Sequence, residues 1–369
     1  MSIYAVLGAG SGGQTLAALL TLNGHKVKLW NRSADRTDAI RRRGRIEVSG
    51  QMNFHVTIDT ITNDISEAIE EARLIFIVVP ADAHKEIAGL LANHIKSDQG
   101  IILNPGRTLG FLEVRNTLTQ RGLVDLPIIL ETQSLFCSCR SVSPGQVNIL
   151  SFKKDNLISC IPKGRFIEVH DQLLDIYRNL TLAPSPLHTS LENIGAILHP
   201  APVLLNTGWI ESRKVFFPHY YDAISPSVAG FLELMDIERL SVADRYGVKV
   251  RSVKKWHEDV YGEQGESLYE TLQKNSSYAE IDAPRTLIHR YLTEDIPTGL
   301  VPISELGRAG WVPTPFIDII ILLGSTLMGY DFRANGRNLH RMGLAGMNFD
   351  TIKTFLSDYP MASELMKRT

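Results

Sequence analysis

Three glycines near the start of the chain are spaced for a turn that binds phosphate groups. Ser2–Leu7 has the composition of a buried strand, and a G-x-G-x-x-G pattern follows it and opens a helix. In this pattern Gly8 permits a tight turn, Gly10 lets the backbone approach a pyrophosphate, and Gly13 lets the helix pack closely on the strand. The amide groups at the start of the helix would face the phosphates. The alternative is a glycine turn without a ligand, but the strand–turn–helix context favours a dinucleotide site.

The residues after the second predicted strand distinguish between the two nicotinamide cofactors. NAD sites usually place an Asp or Glu there, which accepts hydrogen bonds from the ribose hydroxyls and repels a 2′-phosphate. This chain has the neutral Asn31, followed by Arg32 and Ser33, which can pair with a 2′-phosphate or donate to it. Arg36 adds a second cation, although Asp35 reduces the local charge and an arginine can also stack on adenine in NAD sites. We therefore favour NADP(H) over NAD(H).

Two further residues are predicted to contact the cofactor. Ser11 lies in the glycine-rich turn, and Pro80 follows the strand predicted over Leu74–Val79. Both fall at the carboxyl ends of predicted strands, where a doubly wound sheet binds its ligand.

His199 has the most informative surroundings of the histidines. It follows an apolar helix predicted over Thr189–Leu198 and directly precedes Pro200, and Asn193 lies one to two turns earlier on that helix. A histidine can exchange a proton near neutral pH, which suits acid–base catalysis. Taken alone, however, a histidine at a helix end is more often a cap or a core residue.

A second clue lies about a hundred residues later, in the segment His289–Pro302. This segment places Arg290 and Asp295 in a stretch that we predict to be irregular and to connect two helices. Loops with such content often carry binding groups. The alternative is a connecting turn in which Asp295 caps a helix and Arg290 forms a surface ion pair. The residues alone leave both interpretations open.

The elements that would position these residues alternate between strand and helix in the first half of the chain. This alternation predicts a doubly wound α/β fold of the Rossmann type, with an additional hairpin at Arg45–Ile58. The predicted strands are Ser2–Leu7, Lys26–Trp30, Leu74–Val79, Gly100–Leu103, Pro127–Glu131, Gln146–Phe152 and Asn156–Ile161. The predicted helices are Ser11–Asn23, Ala34–Arg43, Asp64–Ala72, Asp82–His94 and Leu109–Arg121.

The alternation ends at a proline-rich joint, Leu182–Pro186. We predict a dinucleotide-binding domain over residues 1–184 and an all-helical domain over residues 187–369, with the substrate in the cleft between them. Ser225 and Pro226 form a helix start signal. The predicted helices of the second half are Thr189–Leu198, Pro200–Glu211, Ser225–Tyr246, Val253–Tyr261, Ser267–Lys274, Ile303–Gly310, Thr314–Met328 and Thr351–Tyr359.

The composition excludes several other classes of protein. The 369 residues are 44% hydrophobic and 21% charged and carry a net charge of −2, so no global field favours nucleic acid or a membrane surface. Three cysteines cannot form a disulfide framework, and Cys137 and Cys139 lack zinc-ligand spacing, so we expect no metal site. The apolar stretch Phe316–Met328 is too short to span a bilayer and is predicted to be a buried helix. We expect a cytoplasmic protein.

Several segments together resemble the NAD/NADP octopine/nopaline dehydrogenase family, the opine dehydrogenases. The resemblance covers essentially the whole chain, and a Glu-Asp-x-x-Thr-Gly-Leu-Val-Pro element after a His-Pro element is its most specific part. The segments that carry the resemblance are Gly8–Gly13, Ile102–Gly106, Leu187–Leu191, Asn193–Pro200, Ile224–Val228, Arg290–Pro302, Ser304–Arg308 and Val312–Pro315.

The resemblance implies a function and a role for each candidate residue. Members of the family join an amino acid to a 2-oxo acid, often pyruvate, with NADH or NADPH, and their C-terminal domain is all-helical, like that of 6-phosphogluconate dehydrogenase. His199 corresponds to the catalytic histidine, and Asp295 to the carboxylate that orients it. Arg290 fits the position that binds the carboxylate of the 2-oxo acid, and Asn193 is a further substrate-binding candidate. The resemblance does not identify the amino acid.

Two other interpretations are weaker. A two-domain reductase of 2-hydroxy acids, glycerol 3-phosphate or ketopantoate would need a catalytic lysine in the second domain, yet the lysines there lie outside the matching segments: Lys214, Lys249, Lys254 and Lys255. A protein that binds NADP without turnover is the other alternative.

A homodimer is a candidate assembly. Several aromatic residues could line an apolar substrate pocket or belong to the core: Trp209, Phe216, Phe217, Tyr220 and Tyr221.

Overall fold

The computed structural model describes residues 1–153, 156–174, 180–212, 216–279 and 281–357. Within them the chain forms two compact units, one running to Thr189 and including residues 355–357, the other running from Ser190 to Thr354. The first is an α/β unit with a mostly parallel sheet and the second is helical, as predicted. The domain ranges 1–184 and 187–369 stay predictions. Lys214 and the end of the helix predicted to reach Tyr359 lie outside the described residues.

The strands of the described residues are β1 (Ile3–Leu7), β2 (Lys26–Trp30), β3 (Ile46–Gly50), β4 (Phe54–Val56), β5 (Thr60–Thr62), β6 (Leu74–Ile77), β7 (Gly100–Leu103), β8 (Ile128–Thr132), β9 (Cys137–Ser143), β10 (Gln146–Phe152), β11 (Asn156–Ile161) and β12 (Leu180–Leu182). Strands β5, β9 and β12 were not predicted. They are short or polar, so their sequences carry little of the apolar pattern by which strands are recognised.

The large sheet has the order β12-β11-β8-β7-β6-β1-β2-β5 in the part of the chain that the structure describes. Its pairings are parallel apart from β8 with β11. Strand β6 reads Leu-Ile-Phe-Ile with every residue buried, because helices cover both faces of such a sheet. The chain leaves β1 in one direction toward β2 and later returns on the other side through β6. The turn after β1 therefore lies at the switch point of the sheet.

A smaller sheet contains the predicted hairpin. Strands β3 and β4 pair antiparallel, β3 pairs parallel with β10, and β10 pairs antiparallel with β9. This sheet is bonded to the first helix at two points, since Ser11 Oγ accepts from the Ser141 amide (2.9 Å) and Gln14 Oε1 accepts from the Gly145 amide (2.7 Å). It therefore braces the helix that begins in the glycine-rich turn.

The helices are α1 (Ser11–Leu22), α2 (Ala34–Arg43), α3 (Ile65–Ile69), α4 (His84–Leu91), α5 (Gly110–Gln120), α6 (His170–Leu174), α7 (Pro186–Leu191), α8 (Ile194–Leu198), α9 (Pro200–Leu205), α10 (Thr207–Glu211), α11 (Pro226–Arg245), α12 (Val253–Tyr261), α13 (Leu268–Lys274), α14 (Arg290–Thr293), α15 (Val301–Ala309), α16 (Pro315–Met328), α17 (Phe332–Asn335) and α18 (Phe349–Ser357). The predicted start of α11 is confirmed, because Ser225 Oγ accepts from the Val228 amide and Pro226 is the first helical residue.

Two predicted helices are each broken into shorter ones. The helix predicted over Thr189–Leu198 is interrupted after Leu191, and the helix predicted over Pro200–Glu211 is interrupted at Asn206. Asn206 is held by its own side chain, whose Nδ2 donates to the carbonyls of Pro202 (2.8 Å) and Ala223 (2.9 Å). Asparagine side chains compete with helical hydrogen bonds in this way, and apolar periodicity does not reveal it.

The segment Arg290–Pro302 is helical, and its predicted irregular character was wrong. Helix α14 is followed by a π-helical turn over Ile296–Leu300, which runs directly into α15. Pro297 and Pro302 lack the amide hydrogen that a regular α-helix would use, which accounts for the widened turn. Prolines and a glycine in this segment favoured a loop, but here the prolines widen a helical turn and do not end the helix.

The stretch Phe316–Met328 was predicted to be a buried helix, but helix α16 buries only one face. Ile317, Ile320 and Ile321 are buried, whereas Ile319 and Leu322 are exposed. In the described part of the chain, no helix combines the length and the apolar character needed to cross a membrane.

Candidate active site

The glycine-rich turn has the geometry that its sequence predicts. Gly8 has a φ of +112°, and a Cβ there would lie 2.4 Å from the carbonyl oxygen of Val78. A Cβ on Gly13 would lie 1.7 Å from the carbonyl oxygen of Gly8, so only glycine allows α1 to approach β1 this closely. At Gly10 the nearest atom to a Cβ would be a guanidinium nitrogen of Arg36 at 3.9 Å. The protein itself thus does not crowd Gly10, which leaves its backbone open to a ligand.

Ser11 and Pro80 lie at the positions expected from the sequence, but Ser11 already has a structural partner. Its hydroxyl accepts from the Ser141 amide at 2.9 Å, which ties the start of α1 to strand β9. Pro80 directly precedes a short 3₁₀ turn, Ala81–Ala83, just beyond the carboxyl end of β6. Both residues flank the turn at the switch point.

Asn31 stabilises the glycine-rich turn. Its Oδ1 accepts from the Ala9 amide at 3.0 Å, and its Nδ2 donates to the carbonyl of Ser33 at 3.1 Å. Its own carbonyl accepts from Asn63 Nδ2 at 2.7 Å. The side chain that we predicted to select the cofactor by its neutrality thus also joins the ends of β1 and β2.

The two predicted cations occupy different surroundings. The guanidinium of Arg32 lies 2.7 Å from both carboxylate oxygens of Glu86, a residue of α4, and this contact raises the pKa of Arg32. Arg36 instead reaches the carbonyl of Ala9 in the glycine-rich turn at 3.4 Å. Glu86 was not among the predicted site residues, because nothing in the spacing connects it to Arg32.

His199 and Asp295 are brought together within the helical unit, although they are 96 positions apart in the sequence. His199 lies between α8 and α9, and Asp295 lies at the start of the π-turn. Nδ1 of His199 is 2.7 Å from Oδ2 of Asp295. The side chain of His199 is 14% exposed and that of Asp295 is fully buried. A buried carboxylate bonded to a histidine near solvent is the arrangement of an acid–base dyad.

Close packing explains how the π-turn reaches His199. A Cβ on Gly299 would lie 2.7 Å from the Cβ of Ala196 on α8 and 3.3 Å from Nδ2 of Asn193. Glycine at this position therefore lets the π-turn, with Asp295 at its start, lie directly against α8. Asn193, which precedes α8, is buried beside this turn.

Tyr220 and Tyr291 complete the surroundings of His199. The hydroxyl of Tyr220 lies 3.1 Å from Nε2, and the ring of Tyr291 stacks on the imidazole with centroids 4.1 Å apart and planes 15° apart. A carboxylate only accepts hydrogen bonds, so Nδ1 carries the proton in the neutral ring, and Nε2 then accepts from Tyr220. Tyr220 was predicted only as a pocket or core residue, and no spacing signal distinguished it from its aromatic neighbours.

Two other histidines lie close to this cluster. Burial lowers the pKa of His219 to about 3, and its ring lies 4.8 Å from those of Tyr220 and Tyr291. His289 caps α14, since its Nδ1 accepts from the Tyr291 amide at 3.3 Å, and burial lowers its pKa as well. Both rings therefore stay uncharged at neutral pH and add no positive charge beside His199.

Arg290 lies at the first position of α14, next to Tyr291. Its side chain is 55% exposed, and its Nε lies 3.3 Å from Oε2 of Glu294, a buried carboxylate one turn later. The alternative of an ion pair for Arg290 is thus what the structure contains. The pair leaves much of the guanidinium accessible to solvent and therefore to a carboxylate ligand.

The described lysines that were considered as catalytic candidates lie in surface ion pairs, unlike the buried contact of His199 with Asp295. Lys249, Lys254 and Lys255 form ion pairs with Asp244, Glu258 and Asp259, respectively. These pairs lie at the surface, as expected of lysines without a catalytic role. Among the described residues, no group of three or more His, Cys, Asp and Glu side chains could hold a metal ion.

Two family profiles match the chain. The profile described as NAD/NADP octopine/nopaline dehydrogenase, alpha-helical domain, matches residues 182–328, which include His199 and Asp295. The profile described as NAD-dependent glycerol-3-phosphate dehydrogenase N-terminus matches residues 4–115, which include the glycine-rich turn. The glycerol-3-phosphate profile thus reaches only the nucleotide-binding part of the chain.

Similar proteins cover nearly the whole chain. The opine dehydrogenase of Arthrobacter sp. (strain 1C) is 40% identical over 352 residues, which are 95% of this chain and 98% of that protein. Octopine dehydrogenase with NADH and L-arginine has a TM-score of 0.82 at 22% identity, covering 97% of this chain and 98% of its own. Yersinopine dehydrogenase with NADP⁺ has a TM-score of 0.72 at 16% identity, with the same coverage. These two structures have the same fold as this chain.

Proposed function

The chain belongs to the NAD/NADP octopine/nopaline dehydrogenase family, and we propose that it reductively condenses an amino acid with a 2-oxo acid such as pyruvate. The product would be an opine, a secondary amine with two carboxylates, and the reaction would be reversible. The observation that carries this proposal is the 2.7 Å contact between His199 Nδ1 and Asp295 Oδ2, in a family whose substrates must exchange protons to form an imine.

His199 is the proposed proton donor and acceptor. Imine formation requires a proton on the carbonyl or carbinolamine oxygen so that water can leave, and an imidazolium can supply it. In the reverse direction the neutral ring takes the proton back. Asp295 accepts from Nδ1 in both states, so it fixes the tautomer and balances the charge that the ring gains.

Arg290 is the proposed binding site for the carboxylate of the 2-oxo acid. Its planar guanidinium can bind a carboxylate at two points, and 55% of the side chain is exposed. Glu294 would remain on Nε and would leave the terminal nitrogens for the substrate. Asn193 is proposed as a further polar contact, since its amide lies beside the π-turn that begins with Asp295.

The glycine-rich turn fits a nicotinamide dinucleotide. When bound, this cofactor supplies the hydride that reduces the imine carbon. The backbone at Gly8, Gly10 and the start of α1 would hold the pyrophosphate, because Gly10 is uncrowded and the first amides of the helix have no intrahelical partners. Ser11 and Pro80 would flank it.

NADP(H) is the proposed preferred cofactor, and NAD(H) the alternative. Support comes from Asn31, which places no negative charge at the end of β2, and from the cations Arg32 and Arg36 near Ser33 and the glycine-rich turn. Glu86 opposes this preference, because its carboxylate neutralises Arg32 and would repel a 2′-phosphate. The preference thus depends on Arg32 exchanging Glu86 for the phosphate.

Substitution of Arg32 tests this preference. We expect Arg32→Ala to weaken NADPH binding about tenfold and NADH binding by less than about twofold, because it removes one charge-assisted contact to the phosphate. Glu86→Gln should tighten NADPH binding, and Arg42→Ala, on the exposed end of α2, is the control for net charge. Dissociation constants from cofactor fluorescence would measure all three, and a larger loss for NADH would contradict the proposal.

The reaction itself is tested by one screen. Purified protein is mixed with pyruvate, each standard amino acid in turn, and NADPH or NADH, and cofactor oxidation is followed by absorbance. We expect oxidation only when both substrates are present, and mass spectrometry should detect the secondary amine product. Oxidation with pyruvate alone would indicate a 2-hydroxy acid dehydrogenase instead.

The proposal also includes a homodimer. Large apolar side chains are exposed on neighbouring helices of the helical unit, including Leu234 and Ile237 on α11 and Ile319 and Leu322 on α16. Sedimentation velocity would test it, and a single species with the mass of one chain would contradict it.

A further inference from the structure

We propose that Tyr220 is a positioning residue for the dyad, and that its hydroxyl holds the Nε2 edge of His199 in the orientation that proton transfer requires. This inference rests on the proposed function, because it assigns Tyr220 a part in the same reaction. Tyr220 acts through His199 and need not touch the substrate.

Three contacts together define the position of the imidazole. Asp295 bonds Nδ1 at 2.7 Å, Tyr220 bonds Nε2 at 3.1 Å, and Tyr291 covers one face at a centroid distance of 4.1 Å. A ring bonded on both edges and stacked on a face cannot rotate without losing at least one contact. The Asp295 contact alone would still allow the imidazole ring to rotate about its Nδ1 edge. The bond between Tyr220 and Nε2 opposes this rotation.

Tyr220 is itself rigidly held. It is 4% exposed, its ring stacks on Tyr278 with centroids 3.9 Å and planes 16° apart, and it meets His219 edge to face at 4.8 Å. Each of these contacts involves the ring and not the hydroxyl. The packing of the ring therefore fixes the position of the hydroxyl next to His199. A phenylalanine at this position would preserve the packing of the ring.

The hydroxyl suits both protonation states of His199. Burial raises the pKa of Tyr220 well above its ordinary value, so the phenol keeps its proton. It donates to Nε2 when the imidazole is neutral, and its oxygen accepts when Nε2 carries a proton. The contact can thus form in either protonation state of His199.

The test compares two buried tyrosines that each lose only the hydroxyl group. Tyr220→Phe removes the hydroxyl that lies 3.1 Å from His199 Nε2 and that also bonds the side chain of Tyr291, and Tyr246→Phe removes a 3.1 Å bond to the carbonyl of Leu306 from another buried tyrosine of the helical unit. We expect Tyr220→Phe to lower kcat for opine formation about 10- to 100-fold, since a small misplacement of a catalytic group has effects of that size. Its KM for the cofactor should change by less than about twofold, and Tyr246→Phe should retain both constants.

The outcomes separate this inference from the proposed function. Tyr220→Phe with the kcat of the wild-type enzyme, or an equal loss of kcat in both variants, would overturn the inference while opine formation by the wild type stands. A wild-type enzyme that forms no opine would overturn both. If Tyr220→Phe does not fold, the ¹⁵N resonance of His199 Nε2 in the wild-type protein gives the answer: a hydrogen-bonded acceptor supports the inference, and a free nitrogen overturns it.

Discussion

Two histidines of the helical unit each bond a tyrosine hydroxyl through Nε2, but they differ in the partner of Nδ1 and in burial. His199 bonds a tyrosine hydroxyl through Nε2 and the carboxylate of Asp295 through Nδ1. His257 also bonds a tyrosine hydroxyl through Nε2, but its Nδ1 lies 2.9 Å from the backbone carbonyl of Val253. His257 is fully buried, whereas the side chain of His199 is partly exposed. The comparison shows what an anion and access to solvent change for an imidazole.

The tyrosines of the two pairs are in direct contact. Tyr220 and Tyr278 stack on each other at 3.9 Å, and Tyr278 lies 2.8 Å from Nε2 of its own histidine. Because Nδ1 of His257 donates to a carbonyl, its Nε2 must accept from Tyr278. Two tyrosine–histidine pairs thus share one aromatic stack.

The difference lies in whether the ring can accept a charge. Burial lowers the pKa of His257 to about 4, and a neutral carbonyl offers no charge to offset this effect. His257 is therefore a structural residue that stays neutral. His199 has a carboxylate that can balance a positive ring, as well as access to solvent. The same pairing can serve structure in one place and proton transfer in the other.

The largest expected effect comes from breaking the His199–Asp295 dyad. His199→Ala or Asp295→Asn should lower kcat for opine formation about 10²- to 10⁴-fold, since the general acid or the charge that supports it is lost. Tyr278→Phe, which breaks the second pair, should leave kcat within about twofold. Steady-state kinetics with cofactor binding measured in parallel would test this, and cofactor affinity should be nearly unchanged.

Two results would contradict this contrast. Normal turnover by either dyad variant would remove the dyad from the mechanism. A loss of cofactor affinity equal to the loss of kcat would indicate that the substitution disturbed the fold rather than the chemistry.

The second expected effect is on stability and concerns His257. An unfolded histidine titrates near 6.5, so between about pH 6.5 and pH 4 the unfolded chain binds a proton that folded His257 does not bind. The free energy of unfolding should therefore fall as the pH is lowered, by about 2 kcal/mol from pH 7 to pH 5 for this residue. His219 contributes with the same sign.

Urea denaturation at several pH values would measure this dependence. In His257→Gln the amide can still donate to Val253 and accept from Tyr278. This variant should therefore lose the part of the pH dependence of the unfolding free energy that His257 contributes. A variant with the same pH dependence as the wild type would show that His257 is not the neutral, buried group described above.

The nucleotide-binding fold could be predicted from the sequence because local chemistry determines it. Gly13 is required by its approach to the carbonyl of Gly8, Gly8 is required by its φ of +112°, and apolar runs such as Leu74–Ile77 identify buried strands directly. The meeting of His199 and Asp295 was inferred from family resemblance. No local pattern connects two residues 96 positions apart, and their contact depends on how closely Gly299 lets the π-turn approach α8.

The remaining features could not be predicted because they arise from packing. Arg32 meets Glu86 because α4 passes near the end of β2, and the intervening sequence contains no sign of this contact. The π-turn after Asp295 follows from prolines that usually indicate a loop. Tyr220 belongs to a run of aromatic residues whose members look alike in sequence, and only its hydroxyl contact with His199 distinguishes it.

The smallest expected effect concerns Arg290, which lies close to His199. Arg290 adjoins Tyr291, which stacks on His199, and its exposed guanidinium is the proposed clamp for the 2-oxo acid. Arg290→Lys keeps the charge but loses two-point binding, so KM for pyruvate should rise about tenfold while KM for the amino acid changes by less than about twofold. Steady-state kinetics with each substrate varied in turn would measure both constants.

Arg308 provides a matched control for this substitution. Its side chain is 56% exposed against 55% for Arg290, and each pairs with a glutamate of its own helical segment, Glu305 and Glu294 respectively. Because exposure, charge and pairing are alike, Arg308→Lys should leave both KM values unchanged if Arg290 acts by binding substrate. Equal increases in the two KM values of Arg290→Lys would mean that Arg290 supports the structure around Tyr291 rather than binding the 2-oxo acid, and the carboxylate clamp would then have to be sought among the other polar groups near His199, with Asn193 the first to test.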